Sequence, residues 1–232
     1  RDFGIILACL YRHGYSVEWR VINAADYGFP QRRRRTFIFA TRDKGVIKKL
    51  YGKKNNDEAL SKSGFFAQEF PVDIIADCEP NQRSFNKLNH NKDIKKLSKE
   101  FELHFFNAGI MVNGKIYTRK VQPIRKGIEQ QTLKSVLEEN VGKEFYISEA
   151  DIKKDKGWVY CKGPKDEPRM KRDGYSYNYK EGAIPFPDVL DAPSRTMLTG
   201  EGSKNPNRIV HVIKDPKTGR LVLSSPPLEQ HR

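Results

Sequence analysis

The stretch Ala24-Ala25-Asp26-Tyr27-Gly28-Phe29-Pro30-Gln31-Arg32-Arg33-Arg34-Arg35-Thr36-Phe37-Ile38-Phe39-Ala40 delivers packed arginines from a tight turn directly into an apolar strand. Gly28 can take a positive φ, and Pro30 fixes its own φ while keeping Phe29 out of the helical region, so the chain turns sharply before Gln31. Thr36 to Ala40 are β-prone or small and predict a short, mostly buried strand. Alternation along an extended chain sends Arg33 and Arg35 one way and Arg32 and Arg34 the other. One pair can then grip a ligand while the other faces water or an acidic partner. Guanidinium forks suit phosphate and the acceptor edges of bases. The competing reading is a nuclear-targeting or surface basic run, although such runs seldom sit between a Tyr-Gly-Phe-Pro turn and an apolar strand.

The residues before the turn extend the pattern. Leu10, then His13-Gly14-Tyr15 and Val17, then Val21-Ile22-Asn23-Ala24-Ala25-Asp26-Tyr27-Gly28-Phe29-Pro30-Gln31 and the arginines form one ordered run. It resembles the late catalytic-domain motif of DNA (cytosine-5) methyltransferases, a helix followed by Gly-Tyr-x-Val, a Pro-Gln-x-Arg-x-Arg turn and a hydrophobic strand. The resemblance implies that Arg33 and Arg35 approach a flipped cytosine and its flanking phosphates. Gln31 and Arg32 join them as expected DNA-binding residues.

That family also carries an AdoMet-binding glycine loop, a Pro-Cys nucleophile and a Glu-Asn-Val unit. None of these is found here. Cys9 follows Ala8, Cys78 follows Asp77 and Cys161 follows Tyr160, so no cysteine follows a proline. The expectation is therefore the C-terminal portion of a methyltransferase. S-adenosyl-L-methionine serves the complete enzyme but has no binding site in this chain, and the N-terminal half is a possible separate partner chain. Alone, the chain should not methylate.

Composition agrees with a polyanionic partner. There are 43 lysines and arginines against 29 acidic residues, a formal charge of +14. Such a field favours nucleic acid and makes affinity salt-dependent, and by itself leaves RNA open. No apolar run approaches membrane-spanning length and no signal segment is visible, so no membrane partner is expected. Three cysteines without pairing or metal spacing indicate a reducing compartment and no metal site. The expected location is the cytoplasm, at the nucleoid.

Along the chain, Phe3, Ile6, Leu7, Leu10 and Tyr11 mark an amphipathic helix ending by Gly14, and Val17, Trp19 and Val21 a strand. Residues 1–45 read as part of the catalytic domain, too little to fold as a unit. Their apolar faces should pack on a sheet that the sequence lacks unless another chain supplies it. Residues 46–190 read as a target recognition domain. Within it, Ile94, Leu97 and Phe101 suggest a helix, Leu103 to Phe106 a strand, and Met111-Val112-Asn113-Gly114-Lys115-Ile116 a type I′ hairpin. A further helix is expected around Leu133 to Val141, and strands near Phe145 to Ile147 and Trp158 to Tyr160.

Arg119 and Lys120 follow the hairpin, and Arg169 to Lys180 interleave cations with Tyr175, Tyr177 and Tyr179. Arg119, Lys120 and Arg172 are candidate DNA-binding residues. The alternative is one face of a strand with solvated cations. Residues 191–232 read as an incomplete return towards the catalytic domain. Ser194, Arg195 and Thr196 are candidates for phosphate, with loop support and N-capping as the other reading. His211 reads as structural. His211-Val212-Ile213 suggest a strand and Asp215 to Gly219 a turn.

The fold class expected is α/β, a partial AdoMet-dependent methyltransferase sheet remnant joined to a small mixed α/β target recognition domain. Double-stranded DNA is the expected partner. A non-catalytic, sequence-specific DNA-binding remnant or specificity subunit is the alternative, and a basic RNA-binding protein the third class.

Overall fold

A computed structural model describes residues 2–52, 55–85, 97–99, 101–138 and 140–223. The chain divides into two compact units, Arg1–Tyr27 with Arg34–Ile128, and Gly28–Arg33 with Glu129–Arg232.

In the first unit, helix α1 (Asp2–Arg12) carries Asp2 in its first turn and Arg12 in its last, both favourable to the helix dipole. Gly14 ends it at φ 79°, as expected of the glycine in His-Gly-Tyr. Strand β1 (Ser16–Asn23) pairs in antiparallel register with β2 (Arg34–Thr41), setting Arg35 opposite Ile22 and Arg34 opposite Asn23. Helix α2 (Lys44–Tyr51) follows, its first turn capped by the Asp43 carboxylate, which accepts from Gly45 N and Val46 N. Short strands β3 (Val72–Ile74), β4 (Asn81–Ser84), β5 (Ala108–Val112), β6 (Lys115–Arg119) and β7 (Val121–Pro123) complete the unit. A five-stranded sheet runs β2-β1-β5-β6-β4, with β3 and β7 paired separately. Every pairing in the larger sheet is antiparallel. The β5–β6 turn has Asn113 at φ 50° and Gly114 at φ 73°, the type I′ geometry that Asn-Gly favours.

Two expectations are corrected here. The apolar face of the first forty residues does not wait for an absent sheet. Leu7 and Ala8 of α1 pack with Val17 and Trp19 of β1, and with Phe85, Leu97, Phe101, Met111 and Ile116 from later in the chain. Trp19 lies so close over β5 that a Cβ at Gly109 would fall inside the indole ring. Nor is the strand after the arginines buried. β2 stands at the sheet edge, and Arg34 to Ile38 are exposed. An apolar strand reads the same from sequence whether one or both of its edges are covered.

The polar positions of β1 are also not a solvent face. Glu18 and Arg20 are fully buried under residues 59–70. Glu18 accepts from Phe65 N (2.6 Å), Phe66 N (3.3 Å) and the Tyr51 hydroxyl (3.0 Å). Arg20 donates to Leu60 O (2.6 Å) and Phe70 O (2.8 Å). Burial raises the Glu18 pKa against the lowering effect of those amides and of Arg20. Ala59, Leu60 and Val72 complete this second face against Ala108, Ile110 and Tyr117.

The second unit contains the ribbon β8 (Lys165–Met170) and β9 (Ser176–Glu181), and the hairpin β10 (Val212–Lys214) and β11 (Leu221–Leu223). The strand expected at His211 to Ile213 and the turn at Asp215 to Gly219 are both present. Its core gathers Ile147, Trp158, Val210, Val212 and Leu223, with Leu133, Ile213 and Val222 adjoining. Three expected elements differ. Trp158 to Tyr160 open a short helix, Trp158–Lys162, because helical spacing buries Trp158 and Lys162 on one side, with Lys162 Nζ 5.5 Å from the indole centroid. Phe145 closes a 3₁₀ turn, and only an isolated bridge from Tyr146 to Val222 is strand-like. The helix at Leu133 to Val141 shrinks to one 3₁₀ turn, Leu133–Val136. In the first unit, Leu103 to Phe106 form no strand, although Leu103 and Phe105 pack on the α1 core. Ile94 lies outside the described residues.

Candidate nucleic-acid interface

Gly28 takes φ 90°, the left-handed conformation that the turn before the arginines requires. From Gly28 to Arg33 the chain is fastened to the second unit by backbone bonds. Gln131 N donates to Gly28 O (3.0 Å), and Gln130 Nε2 to Phe29 O (3.1 Å). Gln31 forms a parallel bridge with Ser194, in which Ser194 N donates to Pro30 O (2.8 Å) and Arg32 N to Ser194 O (2.9 Å). The Thr196 hydroxyl donates to Arg32 O at 2.6 Å. The exposed Arg33 guanidinium donates to Met197 O at 3.2 Å through one of its nitrogens, leaving the remainder of the fork open. The segment 194–197 is therefore a rail on which the first half of the arginine run is laid.

An ion pair between the half-buried Arg195 and the buried Asp188 fixes that rail. Arg195 meets Asp188 through two bonds, Nε to Oδ1 at 2.6 Å and Nη2 to Oδ2 at 3.1 Å, with Asp188 only 6% exposed. Asp188 also accepts from Val212 N (3.0 Å), and Arg195 reaches the Val210 carbonyl (3.3 Å). Beside it, His211 is fully buried, with Nδ1 2.8 Å from Glu201 Oε1 and its backbone N–H donating to Glu201 Oε2 at 2.8 Å. Lys162 donates to the carbonyls of Arg208 and Val210, and burial pushes its pKa down to about 8.

The candidate residues fall into two groups. Arg32, Arg33 and Arg172 are exposed in the second unit, and Arg35 and Lys120 are exposed in the first. Arg35 donates to Arg34 O at 2.7 Å, and Gln31 is half-buried at the bridge. Ser194, Arg195, Thr196 and Arg119 are turned to internal partners. Ser194 is buried with its hydroxyl on Arg195 O (3.0 Å), while Arg119, 8% exposed, binds Asp57 and the Cys78 carbonyl. These are the contacts of loop support. Asp188 and Glu201 carry no signal in the sequence, because a lone acid in an aperiodic stretch reads as solvated. Among the described residues no cluster of histidine, cysteine and acid is placed to hold a metal, and no helix is long and apolar enough to cross a membrane.

The chain is a mixed α/β protein of high positive charge whose arginine run presents an exposed guanidinium at Arg33. Residues 1–203 match the C-5 cytosine-specific DNA methylase family, and the chain belongs to it. It is 40% identical over 205 residues to the Type II methyltransferase M.Sau3AI of Staphylococcus aureus, an alignment covering 88% of this chain and 48% of that protein. The chain thus spans about half the length of that relative. No solved structure matches.

Proposed function

We propose that this chain is the target-recognition and DNA-gripping portion of a DNA (cytosine-5) methyltransferase, working on duplex DNA in the cytoplasm within a restriction-modification setting like that of a Type II enzyme. The observation that carries the proposal is the seating of Gly28–Arg33 on residues 194–197, which leaves the Arg33 guanidinium exposed with one nitrogen held by the Met197 carbonyl. A flipped cytosine leaves the stack at a cost of a few kcal/mol, and cations held beside its phosphates offset that cost only when they are preorganised. Arg33 and Arg35 are assigned this role, with Arg32, Gln31 and Lys120 contributing to the general grip on DNA.

Methyl transfer needs a thiolate at cytosine C6 and AdoMet. AdoMet is assigned elsewhere in this reading, which is supported by the turn from β2 into α2: Asp43 occupies the free amides of the helix start, accepting from Gly45 N and Val46 N. Cys9, Cys78 and Cys161 are free and half-buried, and none follows a proline. Nucleophile and cofactor are therefore assigned to a portion of the enzyme outside this chain.

The test is tritiated methyl transfer from AdoMet to mixed-sequence duplex DNA, comparing this chain alone with the chain plus the protein segment encoded immediately upstream. Activity only in the mixture supports the proposal. Activity of the chain alone overturns the division of labour. Selective duplex binding with no transfer in either sample, the upstream segment being soluble and binding AdoMet, supports a non-catalytic specificity module instead.

A further inference from the structure

The ribbon β8–β9 has no core face. Every residue from Pro168 to Asn178 is exposed, so both sides of the ribbon and its turn meet solvent. Hairpins of this kind are marginal on their own, and this one is stiffened across the strands. Lys165 binds Glu181 (2.7 Å), Lys180 binds Asp166 (3.2 Å), and Asn178 Nδ2 donates to Asp166 (2.6 Å). The Arg169 guanidinium lies 3.6 Å from the Tyr179 ring centroid. The root is tied down by the Tyr160 hydroxyl on Glu167 (2.6 Å) and by Arg208 on Glu181 (2.9 Å).

These bonds sort the charge along the ribbon. The acids Asp166, Glu167 and Glu181 lie towards the root, where Asp166 pairs with Lys180, Glu181 with Lys165 and Arg208, and Glu167 with Arg169 at 3.4 Å. Beyond the paired Arg169, towards the turn, come Lys171 and Arg172, and the acid among them, Asp173, accepts from Tyr175 N at 3.1 Å to shape the turn. Lys171 Nζ lies 5.2 Å from the Tyr175 ring centroid and 5.9 Å from that of Tyr177. Arg172 makes no ion pair among the described residues. Met170 is 72% exposed and Tyr175 61%, giving the basic tip an apolar flank.

We propose that the β8–β9 ribbon enters the major groove of duplex DNA tip first, with Lys171 and Arg172 on phosphates at the groove wall and Met170 and Tyr175 against base edges. This rests on the reading of the chain as a DNA-recognition portion. Six paired residues make a ribbon about 20 Å long, and the major groove of B-DNA, about 12 Å wide, admits a two-stranded ribbon. The deep, narrow major groove of A-form RNA does not. A tip that is both basic and apolar matches a groove walled by phosphates and floored by base edges, thymine methyls among them.

The test is fluorescence anisotropy of labelled mixed-sequence duplex DNA over a salt series, using the full chain. Lys171→Ala/Arg172→Ala is expected to lower affinity about tenfold and to shrink the slope of log K against log salt by about 1 to 2. Lys153→Ala/Lys154→Ala removes the same charge elsewhere in the same unit and is expected to change affinity less than about threefold. A duplex whose major groove is filled by glucosylated 5-hydroxymethylcytosine should bind the wild type more weakly than plain duplex, and the tip variant about equally. The substituted residues are exposed, and circular dichroism checks the fold. Wild type and tip variant binding plain duplex alike overturns the ribbon assignment and leaves the recognition reading standing. A wild type with no affinity for duplex DNA at low salt overturns that reading itself, and the ribbon assignment with it.

Discussion

Arg33 owes its position to a neighbour 164 residues away in sequence, the Met197 carbonyl. A guanidinium restrained in this way loses little freedom on meeting a phosphate, so its removal should be felt more in chemistry than in binding. Arg33→Ala, in enzyme reconstituted with the upstream portion, is expected to lower methyl transfer by about 10- to 100-fold, well beyond its effect on duplex affinity. Parallel gel-shift and transfer assays check this, and equal losses in both would remove Arg33 from the flipped base. The second residue of consequence is Asp188. Its loss leaves the half-buried Arg195 guanidinium without its counter-ion, at an expected cost of about 1–3 kcal/mol in urea unfolding. Arg195→Lys should not restore the wild-type value, since a point ammonium cannot fill both oxygens of the carboxylate as the Nε/Nη2 fork does. The arginine run, its glycine turn and the exposed guanidinium were legible in the sequence because they depend on local backbone rules. The Asp188–Arg195 clamp was not, because nothing local distinguishes a buried aspartate from a solvated one.

Elements show the same division. The Asn113-Gly114 hairpin was readable, as two residues select one turn type. The helix Trp158–Lys162 was not, because Trp-Val-Tyr favours a strand by propensity and only the burial of Trp158 beside Lys162 reverses the preference. Antiparallel pairing of β1 with β5, some ninety residues on, was likewise beyond any local pattern. The β10–β11 turn offers a test of its own. Asp215 accepts from the Tyr146 hydroxyl (2.6 Å), the Thr218 hydroxyl (2.7 Å) and Lys217 N (2.8 Å), and these bonds, led by Tyr146, lower its pKa from 3.8 to about 2. A carboxylate with a depressed folded pKa contributes stability that is fully present above its unfolded value and is lost as pH falls through the folded one. Unfolding followed from about pH 4 down to about pH 2 should therefore show a loss in the wild type that is smaller in Asp215→Asn. An unchanged slope in the variant would mean that Asp215 does not hold the turn.

At the scale of the whole molecule the charge is unevenly distributed. Residues 34–128 hold 20 of the 43 basic residues and 10 of the 29 acidic ones, and so most of the net charge of +14. Residues 129–232 are close to balance, with 18 basic against 16 acidic. A diffuse excess of cations draws in any duplex through counterion release, without regard to sequence, whereas a balanced unit contributes through the few cations its geometry leaves unpaired. The two contributions respond differently to salt and to sequence. If about four phosphates are neutralised, affinity should fall by about 100-fold between about 50 and about 200 mM salt. Substituting exposed lysines of the first unit, such as Lys44, Lys48 and Lys49 on or near α2, should lower affinity about equally for every duplex and flatten that dependence. Substituting Met170 and Tyr175, the exposed tip residues assigned to base edges, should instead narrow the gap between preferred and random duplexes. Binding isotherms on a selected and a scrambled duplex at matched salt separate the two. A preference for the selected duplex that survived the tip substitutions and vanished with the α2 lysines would place sequence reading in the first unit.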